Sequence, residues 1–198
     1  HGFPRYPELA INPTDGNIAI SMRGVDANSN YLPSTWIRVF DATGAALSAY
    51  SSGELKVEEE PGGSLLSGMI LTFDGTGNLY TAYSPYTGPK KTSIFLNHWN
   101  VSTGTSLLVQ PEEYLHSEPV MVGDIRWSTQ DGLMLAYKKG DNAFLDHLDL
   151  SLGYVNVIQL NNPGKVAQYP DLSFHLGNYR ILASGIEEET DCSSLFLS

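Results

Sequence analysis

The chain has 198 residues, so one domain is the default and two are possible. Hydrophobic residues make up 41%, enough for a core, and 11 Lys+Arg against 22 Asp+Glu give a formal net charge of −11. That acidity excludes nucleic acid and anionic membrane as main partners, because both recruit positive surface, and no apolar run is long enough for membrane insertion.

Read in order, the chain repeats one plan. Residues 6–13 are predicted as a short strand, Thr14-Asp15-Gly16-Asn17 as a hairpin turn, and Ile18–Met22 as a second strand with period-two alternation. A polar loop is expected from Arg23 to Ser34, then a third strand over Thr35–Phe40, a turn over Asp41–Gly44 and a fourth strand over Ala45–Tyr50. The segment Glu54–Glu60 reads as loop or one helical turn, stopped by Pro61-Gly62-Gly63. The second unit runs Met69–Phe73, the turn Asp74–Asn78, Leu79–Tyr83 and Ser93–Trp99. In the third, Asp124–Ser128, Leu133–Tyr137 and Ala143–Leu148 follow the same course. The fourth has Tyr169–Phe174, Tyr179–Ser184 and Ser194–Leu197.

The hairpin glycines Gly16, Gly77, Gly132 and Gly177 recur at 61, 55 and 45 residues, and the later turn glycines Gly44, Gly104 and Gly153 at 60 and 49. Two series drifting together indicate a repeated four-strand unit, which is the blade of a β-propeller. The prediction is an all-β fold: one domain over 1–198, a β-propeller of about four blade-like repeats near 5–60, 64–112, 119–162 and 166–198. The last repeat lacks an outer strand, and the chain opens at His1 without a Met, so a processed or partial chain, or completion of the sheet by another chain, is expected. Self-association as a homo-oligomer or filament is the corresponding partner expectation.

Pro7 to Ile20, followed by Ile37-Arg38-Val39-Phe40-Asp41-Ala42-Thr43-Gly44, resembles NHL-type and related repeats of bacterial secreted propellers. Asp74-Gly75-Thr76-Gly77-Asn78-Leu79-Tyr80 fits the same pattern, whereas Leu133 stands where that pattern has its turn Asn. The resemblance implies a propeller in an extracellular or periplasmic setting. Its motif makes turns and core, so it implies no particular activity.

Candidate chemistry lies at the start of each first strand. Glu8, Asp124 and Asp171 occupy equivalent places, in Pro-Glu-Leu, Gly-Asp-Ile and Pro-Asp-Leu, while unit two offers Met69. Arg126 lies two residues beyond Asp124, on the same strand face. Together Glu8, Asp124, Asp171 and Arg126 form a predicted binding set at a channel mouth. Converging carboxylates can take a hard cation such as Ca²⁺ or act as acid and base on a glycan; the plain alternative is that they only start strands in solvent. His98 and His147 share a third-strand position held by Val39 in unit one, which argues for filler rather than metal ligands. Tyr31, Trp36, Tyr83 and Tyr86 are expected as exposed aromatics for a sugar or protein partner. Cys192 is the only cysteine, so no internal disulfide or Cys-based zinc site can form. Nucleophile and phosphate-loop motifs are absent. The expected function is a binding or assembly scaffold for a protein or glycan partner, without a required cofactor; the alternative is a carbohydrate-active hydrolase or lyase using the mouth carboxylates.

Overall fold

The computed structural model describes residues 5–26, 32–47, 55–59, 69–85, 90–107, 112–129, 132–160, 166–175, 178–186 and 193–197. Among them there is no helix, and the strands form four antiparallel sheets, each a run of neighbours in chain order. The first sheet contains β1 (Arg5–Ile11), β2 (Ile18–Asp26), β3 (Leu32–Phe40) and β4 (Leu55–Glu59). The second contains β5 (Ile70–Phe73), β6 (Leu79–Tyr83) and β7 (Ser93–Asn100); its outer place is shared by β8 (Thr105–Ser106) and β9 (Glu112–Leu115), both paired to β7. The third is β10 (Val120–Ser128), β11 (Gly132–Lys139), β12 (Asn142–Leu148) and β13 (Tyr154–Gln159). The fourth is β14 (Val166–His175), β15 (Asn178–Ile186) and β16 (Ser193–Leu197).

Each sheet packs on the next. The first strands meet in sequence, β1 on β5, β5 on β10 and β10 on β14. Ala10, Ala19, Ile37 and Val39 of the first sheet close on Leu71, Phe73, Leu79 and Trp99 of the second. Tyr80, Ala82, Ile94 and Leu96 then meet Ile125, Leu133, Leu135 and Leu148 of the third, and Met134, Ala136 and Leu145 meet Leu172 of the fourth. Alternation along the strands of the second and third sheets therefore serves two interfaces: one face looks back to the preceding sheet and the other looks forward. No closed ring of sheets is seen among the described residues.

Several expectations are corrected. The strand paired to the outside of β3 is β4 at Leu55–Glu59, in the segment read as loop or helical turn; of the expected strand Ala45–Tyr50, residues 45–47 lie outside the named strands and 48–50 lie outside the described residues. Past the Asp41 turn the described residues make a bridge between Phe40 and Ala46, and the Leu47 N–H donates to the Val39 carbonyl. The pattern Leu-Lys-Val-Glu alternates with period two, which suits an edge strand. The expected loop over Arg23–Ser34 is mostly hairpin, since β2 and β3 stay paired out to Asp26 opposite Leu32. Trp36 and Tyr83 are buried, not exposed. His1, Tyr31, Tyr86, Gly177 and Cys192 lie outside the described residues.

The turns obey a rule that the glycine spacing concealed. Where Asn opens the turn, glycine with positive φ comes four residues later: Gly16 after Asn12 and Gly104 after Asn100, each donating its N–H to that Asn's carbonyl. Where Asp opens it, the left-handed residue comes three later: Gly44 after Asp41, Gly77 after Asp74 and Leu152 after Asp149. In all three Asp turns one carboxylate oxygen accepts from the backbone N–H and hydroxyl of the second residue and from the N–H of the fourth. Leu152, not Gly153, thus takes the positive φ of 70° in the third sheet. That conformation costs a leucine about 1–2 kcal/mol, and full burial of the side chain against the second sheet, about 2–3 kcal/mol, offsets it.

Candidate functional site

The acids at the first-strand starts are aimed by the backbone. Strand pairing slips between Arg5 and Glu8 in β1, between Val122 and Asp124 in β10, and between Gln168 and Asp171 in β14. Each slip is a β-bulge, and each ends on one of the three acids. A bulge puts an extra residue into one strand and redirects the side chain beside it. The sequence carries the signal: Pro7, Gly123 and Pro170 directly precede the acids, and proline or glycine inside a strand marks bulges. At Gly123 the reason is steric, because a Cβ there would overlap the Pro170 carbonyl oxygen. The glycine lets β10 and β14 approach main chain to main chain.

Register also corrects the fourth member. Glu8 pairs with Ser21, Asp124 with Ala136 and Asp171 with Leu182; in the second sheet the matching pair is Ile70 with Ala82. The place is therefore filled by half-buried Ile70, and Met69 sits one residue earlier, fully buried, its carbonyl accepting from the Ser21 hydroxyl at 2.5 Å.

Asp124 is the organiser. It is 2% exposed. Its Oδ1 accepts the Ile125 N–H at 2.8 Å, and its Oδ2 accepts Arg126 Nε–H at 2.8 Å and the Leu172 N–H at 3.2 Å. The same Leu172 N–H is shared with Asp171 Oδ1 at 2.8 Å, so one amide of β14 lies between two carboxyl groups. Burial pushes the Asp124 carboxyl up to about 7; Arg126 works against this, and Asp171, within hydrogen-bonding reach, adds to it. Glu8 is half-buried, and burial raises its pKa too, opposed by Arg126 and assisted by Asp171. The Glu8 carboxyl thus senses charged groups on β10 and β14. Asp171 is exposed and the Arg126 side chain is partly so, at 39%.

The structure therefore gathers all four predicted residues, Glu8, Asp124, Arg126 and Asp171, from three sheets into one electrostatic neighbourhood. Chemically, it offers acceptors at Glu8 and Asp171, a guanidinium donor at Arg126, and an inner carboxyl whose proton is held near neutrality. Among the described residues no group of three or more His, Cys, Asp or Glu side chains is placed to hold a metal ion.

Other polar groups are buried between sheets. Asp146 is fully buried, with Oδ1 accepting from the Tyr137 hydroxyl at 3.3 Å and Oδ2 without a hydrogen-bond partner among the described residues; burial pushes it up to about 6, and the nearby Tyr137 and Tyr154 hydroxyls oppose that. His98 stacks on Tyr80 with ring centroids 4.4 Å apart, and burial lowers its pKa, as it does for His116. His98 therefore serves as packing.

No family model matches the chain, and no curated protein matches it. Among solved structures it is similar to the polysaccharide lyase Uly1, with a TM-score of 0.58 and 11% identity over 97% of this chain and 44% of that one. A luciferin-regenerating enzyme is matched with a TM-score of 0.47 and 14% identity, over 99% of this chain and 64% of that one. The chain thus spans less than half the length of the lyase, and the likeness to the lyase is one of fold.

Proposed function

We propose that the four sheets are blades of a β-propeller and that the mouth lined by Glu8, Asp124, Arg126 and Asp171 binds a neutral, hydroxyl-rich glycan. One observation carries the reading: three bulges, in three different sheets, each end on an acid, and Arg126 bonds Asp124 and acts electrostatically on Glu8 while Asp171 acts on both. Rigid strands then hold acceptors and a donor at fixed spacing, which suits a polyol whose hydroxyls both donate and accept. Three carboxyl groups against one guanidinium leave the mouth net negative even with Asp124 protonated, so uronate or sulfated polymers are disfavoured. The fold shared with a polysaccharide lyase makes polysaccharide the first ligand class to test.

Binding is favoured over catalysis by burial. Asp124 has the most raised carboxyl of the mouth, as catalytic acids often do, but both its oxygens are engaged and it is shielded from solvent. It sets the geometry, and Glu8, Arg126 and Asp171 meet the ligand. Calorimetric titration with neutral, amino-sugar and uronate oligosaccharides is the test. Neutral chains should bind best, and Asp171→Asn or Glu8→Gln should weaken them about tenfold, the value of one charge-assisted hydrogen bond. Binding indifferent to both substitutions, or preference for uronate chains, would refute the assignment. Release of reducing or unsaturated ends in the same samples would favour the carbohydrate-active alternative.

A further inference from the structure

Strand register makes Leu9 of β1 the counterpart of Leu71 in β5, Ile125 in β10 and Leu172 in β14, since these pair with Ile20, Thr81, Leu135 and Ile181 respectively. Leu71, Ile125 and Leu172 are 2%, 0% and 4% exposed, each covered by the preceding sheet; Leu9 is 54% exposed. Ile11 repeats the contrast: its counterpart Phe73 is buried, and Ile11 is 60% exposed. On the same face of the first sheet, Leu9 pairs with Ile20 and Ile11 with Ile18, which pairs in turn with Phe40. Ile18, Ile20 and Phe40 are each only half-buried. Arg38, opposite Ile20, shares this face with its guanidinium 5.3 Å from the Phe40 ring centre, and Trp36 farther along it is buried. The Leu9–Ile11 end of the first sheet thus carries backward-facing apolar surface that its three counterparts bury against a neighbour, and among the described residues no sheet covers it.

We propose that this face is covered by a second copy of the chain, whose fourth sheet packs on it as the first sheet packs on the second. Continuity argues for that occupant. The same sheet-on-sheet contact occurs three times within the chain, always forward face to backward face, and such head-to-tail contacts close into a ring when the rotation permits. Two copies supply two identical contacts and leave neither first sheet open. Scattered exposed leucines are ordinary, but adjacent exposed or half-exposed apolar residues such as Leu9, Ile11, Ile18 and Ile20 on one sheet face mark an interface. This inference rests on the propeller reading and not on the mouth's ligand, and it is measured separately from glycan binding.

Sedimentation equilibrium of the 198-residue chain should give a dimer with a micromolar or tighter dissociation constant, as expected of interfaces this apolar. Leu9→Glu with Ile11→Glu should weaken it at least about a hundredfold by placing charges in the contact, with thermal melting of the monomer unchanged because both side chains are already more than half exposed. Leu115→Glu, on outer strand β9 and 75% exposed, should leave the dimer intact. A wild-type chain that stays monomeric overturns the proposal, as does a dimer unaffected by the Leu9/Ile11 changes or one dispersed equally by Leu115→Glu.

Discussion

Replacing Gly123 with alanine is expected to destabilise the protein by about 3 kcal/mol, at the upper end for overpacking by one methyl group. The added Cβ would occupy the place of the Pro170 carbonyl oxygen. That atom belongs to the main chain of β14, so no side-chain rotation can relieve the overlap. Either β10 or β14 must shift, and the Leu172 N–H bond to Asp124 is the first to be lost. The inner carboxyl would then remain buried with a weakened donor set, a further cost of about 1–3 kcal/mol if nothing replaces it. Urea unfolding of Gly123→Ala beside wild type measures the loss. A change under about 1 kcal/mol would mean that the close approach of β10 and β14 is not what holds the site.

Stability is expected to fall by a few kcal/mol between about pH 5 and pH 8. Asp124 and Asp146 have folded pKa values of about 7 and about 6, against 3.8 for an unperturbed aspartate. Both are raised, so the folded state holds protons that the unfolded chain gives up. Their contribution is complete below about pH 4 and is lost as pH rises through 6 and 7. At about 1.4 kcal/mol per pKa unit the limits are on the order of 4 kcal/mol for Asp124 and 3 kcal/mol for Asp146. Histidines oppose the trend. His98 and His116 are lowered by burial, so their contribution is complete above about pH 6.5 and lost as pH falls through their folded values. Asp74 behaves oppositely to the buried pair: burial raises it, but hydrogen bonds from Asn78 and Thr76 together outweigh that and hold it low, so its contribution is lost only below the ordinary aspartate pKa. Chemical denaturation at several pH values tests the sum. Asp171→Asn should shrink the drop, because it removes a neighbour that raises Asp124. Equal or greater stability at pH 8 would contradict the assignment of Asp124 as a proton-holding group.

Much of this was legible in the chain itself. Turns built from Asp, Asn and Gly between alternating strands place most of the hairpins within a residue or two, because few residues tolerate the positive φ those turns need. The acids Glu8, Asp124 and Asp171 stand out because a breaker precedes each one. What the residues conceal is register. A bulge adds one residue to a strand, so counting along the chain matches Met69 with the acids, whereas pairing matches Ile70. The edge strand β4 was hidden for another reason. Its Lys56, Glu58 and Glu59 read as loop composition, yet charged residues are what an exposed edge carries to avoid pairing with other chains. Trp36 and Tyr83 were misjudged because flanking polar residues suggested loops, while both rings are buried, Tyr83 between the first and second sheets. Leu152 shows the limit of the glycine rule: a buried leucine keeps a left-handed turn position when its packing outweighs the strain.

The central claim is that residues from three separate sheets act on one ligand. A double-mutant cycle on Glu8→Gln and Asp171→Asn, read as oligosaccharide affinity by calorimetry, tests it most directly. One shared ligand predicts non-additive losses, with a coupling of about 1 kcal/mol between positions on β1 and β14. Strictly additive losses, or no loss from either substitution, would contradict a common site.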